Sequence, residues 1–273
     1  MPGPDRLSFH LASLAPLGVG EAAAIAAQAG FAAAALDFAH LGKDGPKATG
    51  RLLRDQGLRV TSLGGGGDFT ARERAHRRER RDLNLRALEA AQILGADCLA
   101  LASGGLPEGS NDLFGAREMV LDGVGELLED AASAGVRLAL VPEHPMRAAG
   151  HGVVCSVGGA LDLAARLGHD GVGILCDVQR HWWDHALADR LAQAQKERRL
   201  FGLRLGDWLP NVPDPLAERG LPGEGVIPFK AFTRAAEGFD GPFELHVTPG
   251  DGRRRWAPRE LAMLAAEAAE RHV

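Results

Sequence analysis

Cysteine is scarce in this chain: Cys98, Cys155 and Cys176 are widely spaced and odd in number among 273 residues. That argues against a disulfide scaffold or a thiolate zinc site, and predicts reduced thiols in a soluble cytoplasmic protein. The first residues, MPGPDRLSF, lack a cationic start followed by an apolar run, so no secretory signal is expected. The longest apolar stretch, residues 22–36, is alanine-rich, broken by Gln28 and Gly30, and too short to span a bilayer. Net charge is −5 with no extended basic run, so neither nucleic acid nor an anionic membrane is an expected partner. The one dense basic cluster, residues 72–81, is interleaved with Glu73 and Glu79 and reads as a solvated helix face. No Gly-x-Ser-x-Gly elbow and no dinucleotide fingerprint occur. The glycine run 64–67 is not followed by the Lys-Ser/Thr pair of a P-loop. With Asp68 and Phe69 next to it, that run is expected to form a flexible lid or to widen a pocket.

What is present is a regular alternation. Short apolar runs fall at residues 7–11, 31–36, 58–63, 97–101, 136–141, 172–176, 201–205 and 242–247. Several are almost continuously apolar, as strands covered on both faces must be. Helical stretches are expected at 20–29, 47–56, 71–94, 115–134, 157–167, 186–198, 228–237 and 258–272. Gly30, Gly57, Gly95, Gly135, Gly171 and Gly202 precede strands, each placed to cap a helix in the left-handed conformation. Eight strand–helix units in this length predict one α/β domain, residues 1–273, folded as a (β/α)8 TIM barrel; an open doubly wound sheet is the alternative.

Barrel chemistry sits at the C-terminal strand ends. That directs attention to His10, Asp37, the glycine run 64–67, residues 103–105, 141–144, 177–181 and 204–207, and to Glu244 and His246.

The segments LGADCLALASGGLPEG, GVRLALVPEHPM, CDVQRHWWD and LRLGDWLPNVPDPLAERGLPGEGVIPF together resemble the sugar phosphate isomerase/epimerase family, which has the xylose isomerase-like barrel. The resemblance covers most of the chain and implies one divalent cation held by Glu, Asp, His and Glu from four strand ends. In this sequence the first Glu falls on Val141, the Asp on Asp177 and the His on Arg204. The last Glu falls on His246, or on Glu244 with a shift of two residues. A further family His becomes Arg180, beside His181, and an Arg after the third strand falls within the run 64–67. A guanidinium about 4 Å from a dication is opposed by about 8 kcal/mol at an effective dielectric of about 20, and arginine cannot shed its proton. The expectation is therefore an enzyme without a metal cofactor. The alternative is a rebuilt Mn, Mg, Zn or Co site on Glu143, Asp177, His181 and His246.

Three functions follow as expectations. The first is an isomerase/epimerase-like or lyase-like enzyme performing metal-independent acid–base chemistry on a small polar or anionic metabolite, as in a specialised biosynthetic pathway. Asp177, Arg204, His246 and Glu143 are the expected catalytic residues. Arg180, His181, His144, Trp182, Glu244 and His10 are the expected substrate-binding residues, and Asp207 is expected to brace Arg204 or the fold. The second is a metal-dependent sugar or cyclitol isomerase with the rearranged ligands. The third is a non-catalytic binding protein on a decayed barrel. A homodimer would suit the fold.

Overall fold

Eight parallel strands close on themselves, as the alternation of apolar runs and helices requires. The computed structural model describes residues 3–42, 45–248 and 256–273. Its strands are β1 (Leu7–His10), β2 (Ala33–Asp37), β3 (Arg59–Gly67), β4 (Cys98–Ala102), β5 (Arg137–Leu140), β6 (Val172–Asp177) and β7 (Leu200–Leu205). A short antiparallel ribbon, β8 (Asp207–Trp208) and β9 (Arg219–Gly220), precedes β10 (Phe243–Leu245). The order β1-β10-β7-β6-β5-β4-β3-β2 closes the barrel, so the open-sheet alternative is set aside.

The helices are α1 (Val19–Gln28), α2 (Gly45–Asp55), α3 (Arg74–Leu94), α4 (Leu113–Gly125), α5 (Leu128–Ala134), α6 (Val157–Leu167), α7 (Val178–His181), α8 (Leu187–Lys196), α9 (Phe229–Ala235) and α10 (Pro258–His272). The stretch expected as one helix over 115–134 is two. Buried Leu127 turns into the core between them, just after helix-weakening Gly125. Gly30, Gly57, Gly95 and Gly135 take the expected positive φ, but Gly171 and Gly202 do not. Before β6 the left-handed cap is Gly168, and before β7 it is Arg198. Gly202 lies within β7, where a Cβ would stand 3.3 Å from the Leu175 side chain.

Alternation along the strands, reset by a register shift where β7 pairs with β6, sorts the interior. Leu36, Leu99, Leu101, Leu138, Ile174 and Leu203 face outward against the helices and are fully or almost fully buried. Each contributes about 1.5–3 kcal/mol by leaving water. Inside the barrel a separate small cluster, Cys98, Ala100, Ala139, Leu175 and Phe201, fills the lower part, with the Arg137 guanidinium 4.3 Å over the Phe201 ring. Above it the inward positions turn polar, and this layer carries the site.

Candidate active site

Parallel pairing sets the first contacts. Asp177 lies beside Arg204 and Arg204 beside Glu244, while Ser8 pairs with Glu244 on the other side. Glu244 is fully buried and accepts from Arg204 Nε at 3.2 Å and Nη2 at 3.0 Å through one oxygen. Its other oxygen accepts from Thr61 Oγ1 at 2.8 Å, and Thr61 contacts Ser8 Oγ at 2.8 Å. Burial works against the charge of Arg204, but Glu244, Asp177 and Asp37 outweigh it and hold the guanidinium more firmly protonated than usual.

A second network surrounds Asp177. Arg219 Nη2 donates to its Oδ1 at 2.6 Å, and Arg180 Nε lies 3.5 Å from its Oδ2. Burial would raise the Asp177 pKa, yet Arg219, Arg180 and Arg204 bring it down to about 2. Arg180 also donates to Glu143 Oε2 at 2.9 Å. β5 ends at Leu140, so Glu143 reaches this position from a loop rather than along a continued strand. Its N–H bonds Val154 O at 2.9 Å, and Gly152 leaves the space its side chain crosses.

At the centre of the mouth the rings of His10 and His246 stack, centroids 4.1 Å apart and planes within 10°. His10 is buried and His246 is half-buried. Burial, then Arg204, lowers the His10 pKa to about 4. Burial, the neighbouring His10 and the arginines push His246 well down as well. Both imidazoles are therefore neutral at pH 7. The Nδ1 atom of each is buried and has no partner among the described residues. Asp37, about one-third exposed, stands 3.9 Å from His10 Nε2 and 3.5 Å from His40 Nδ1. Its carboxylate fills the space a side chain at position 64 would need.

Aromatic groups form one wall. His144 stacks on Trp208 at 5.7 Å and meets Trp183 edge-on at 5.9 Å; Trp182 packs on Trp208 at 5.8 Å. His181 is fully buried with Nε2 3.2 Å from Pro142 O, and burial lowers its pKa. Asp207 does not brace Arg204. It accepts the backbone N–H groups of Trp208, Gly223, Gly225 and Ile227 and so ties the segment after β9 back to β8. The run 64–67 is not a lid either. It extends β3, its last glycine exchanging hydrogen bonds with the Asn84 side chain at 2.6 and 2.9 Å.

The structure thus brings Asp177, Arg180 and Glu143 into one network, Arg204 and Glu244 into another, and stacks His10 on His246. His144, Trp182 and His181 stand apart on the neighbouring wall. Arg219 and Thr61 are additions that sequence reasoning did not single out, while Asp37 was marked as a strand-end residue but given no role. Arg219 lies in the quoted string ERGLPGEG, whose return to the barrel depends on contacts made by Asp207.

An eight-stranded parallel barrel with its ionisable side chains gathered at the C-terminal strand ends defines the class of this protein. The chain belongs to the xylose isomerase-like TIM barrel family, whose sequence profile matches residues 23–267. It is similar to a protein from Sinorhizobium meliloti 1021, with 37% identity over 99% of both chains and a TM-score of 0.93. It shares the fold of 3-keto-D-glucoside 4-epimerase from E. coli, with 20% identity, 97% and 98% of the chains covered and a TM-score of 0.78. The IOLI protein with a binding zinc atom has 18% identity, 98% and 96% coverage and a TM-score of 0.77. No protein of curated function matches.

The residues at this mouth do not fit the divalent cation that the fold family implies. Each inward carboxylate of the Asp177, Glu143 and Glu244 set already pairs with a guanidinium. Among the described residues no three His, Cys, Asp or Glu side chains converge as ligands. The rebuilt set Glu143, Asp177, His181 and His246 accordingly forms no common centre there.

Proposed function

We propose that the protein is an isomerase/epimerase-like enzyme that moves a proton beside a carbonyl of a small polar or anionic metabolite, using fixed guanidinium groups where its relatives' fold uses a cation. One observation carries this reading: Arg204, which the resemblance aligns with a metal-ligating His, is held at the mouth by fully buried Glu244. Two of its nitrogens serve Glu244, and its side chain keeps 10% exposure toward the mouth. Its remaining N–H groups are suited to stabilising an oxygen that gains negative charge as a neighbouring C–H bond breaks. Neutral His246, stacked on His10, takes the released proton. Returning it to the opposite face gives epimerisation; returning it to the adjacent carbon gives isomerisation; loss of a β-hydroxyl gives dehydration.

Asp177 is a weak base in this setting, with its pKa near 2 and both oxygens engaged. Its part is to position Arg180 and Arg219. Arg180, Arg204 and Arg219 are matched one for one by Glu143, Glu244 and Asp177, and Asp37 adds a further carboxylate, so a ligand need not be strongly anionic. Mutual ion pairing would equally suit a non-catalytic binding protein. The buried unpartnered ring nitrogens and the accessible Asp37 favour catalysis.

The test is exchange of carbon-bound hydrogen in D2O, followed by NMR, over a panel of ketoses, keto sugars and keto acids. Wild type is expected to incorporate deuterium next to a carbonyl in at least one compound. Arg204→Gln and His246→Gln should each slow this by about 100-fold or more, the range of one oxyanion donor or one general base. Equal rates in wild type and both variants would overturn the assignment.

A further inference from the structure

The basic cluster of residues 72–81 has no part in the chemistry above, and its geometry is more specific than a solvated face. The first two turns of α3 form one wall of a cleft of about 620 Å³ whose other wall is α4. That volume lies within the range of small-molecule pockets, about 300–1,000 Å³. Arg74, Arg77, Arg78, Arg80 and Arg81 line it, against only Asp122 and Glu126. Its floor is Phe69, which is buried against Gly123 of α4, where a Cβ would collide with the ring.

The arginines are unequally compensated. Arg80 pairs with Asp68 at 3.0 Å, and Arg81 reaches Glu126 and Asp130 at 3.5 and 3.6 Å. Arg77 donates only to the carbonyls of Ala71 and Arg72. Arg74 and Arg78 have no carboxylate or other hydrogen-bond partner among the described residues. They stand one helical turn apart, where like charges repel. Three uncompensated guanidiniums thus face one cleft on a chain whose net charge is −5.

We infer that this cleft binds a small multivalent phospho-anion, of the diphosphate type, between Arg74, Arg77 and Arg78. Guanidinium forks take such oxygens in pairs, and a diphosphate offers enough of them to engage neighbouring side chains on one helix face. The basic patch covers only two helical turns, about 11 Å. Asp122 and Glu126 on the facing wall confine an anion to the α3 side of the cleft, and with Asp130 they would repel a polyanion running across it, so a small ligand suits it better than nucleic acid. The site is separate from the barrel mouth and does not depend on the reading of that mouth.

The experiment is isothermal titration calorimetry of the full-length protein with pyrophosphate at about 0.15 M salt, an ionic strength that screens loose surface attraction. Saturable one-to-one binding is expected, weakened about tenfold or more in Arg74→Ala/Arg78→Ala and unchanged in Arg51→Ala, which removes an exposed arginine elsewhere. Without pyrophosphate the double variant should melt no lower than wild type, since it loses a like-charge contact and no partner. With pyrophosphate, wild type should gain thermal stability and the double variant should not. Absence of saturable binding, binding that survives the double substitution, or preferential binding of a single-stranded oligonucleotide would each overturn the inference.

Discussion

Glu244 is the residue on which the mouth turns. It is fully buried, holds Arg204 with one oxygen and Thr61 with the other, and cannot be lost without stranding a buried positive charge. Glu244→Ala is expected to cost about 3 kcal/mol or more in urea unfolding, and a cost below about 1 kcal/mol would show that Arg204 finds other partners. His10 gives a pH signature. Its folded pKa of about 4 lies below the ordinary 6.5, so between those values the unfolded chain binds more protons. The stability His10 contributes is therefore complete above pH 6.5 and lost as pH falls toward 4, by about 3 kcal/mol. Unfolding of His10→Gln against wild type over that window should show a shallower fall in the variant. Parallel curves would contradict the burial argument. At this scale Asp177, Arg204, Glu244 and His246 were legible as polar groups at or near the C-terminal end of an apolar run. Their partners were not, since strand register and loop return decide whether Arg204 meets Asp177, Asp207 or Glu244.

Among the elements, the strands and helices were legible almost throughout, because a closed parallel barrel needs continuous apolar runs and amphipathic covers, and both leave periodic marks. The departures have local causes. The run 64–67 was expected to be loose because glycine is permissive. Its last residue is instead fixed by Asn84 and by close approach to Ala102, which leaves no room for a side chain. The segment from Trp208 to Ile227 was unreadable as structure because one side chain organises it. Asp207 gathers four backbone N–H groups, two of them from Gly223 and Gly225, and that arrangement positions Arg219 on Asp177. Asp207→Ala should free those donors and raise hydrogen exchange across residues 209–227, with a loss of about 3 kcal/mol in stability. Unchanged protection in that segment would show that the ribbon of β8 and β9 holds the loop unaided.

For the whole molecule, the barrel supplies a rim onto which eight strands deliver side chains, and in the function proposed here guanidiniums take the part that the resemblance assigns to a metal-bound imidazole. Ion pairing across β6, β7, β10 and the loop carrying Arg219 then ties the rim together, so the same groups that would serve a substrate also hold the mouth in shape. The most direct measurement is calorimetric titration of Mn2+, Co2+ and Zn2+ into protein purified without chelator and checked by elemental analysis. The account expects the purified protein to carry far less than one equivalent of metal, and no binding tighter than about millimolar that depends on Asp177, because Arg180 and Arg219 already engage its oxygens and would have to be displaced by a dication. One tightly held equivalent that disappears in both Asp177→Asn and Glu143→Gln would contradict it.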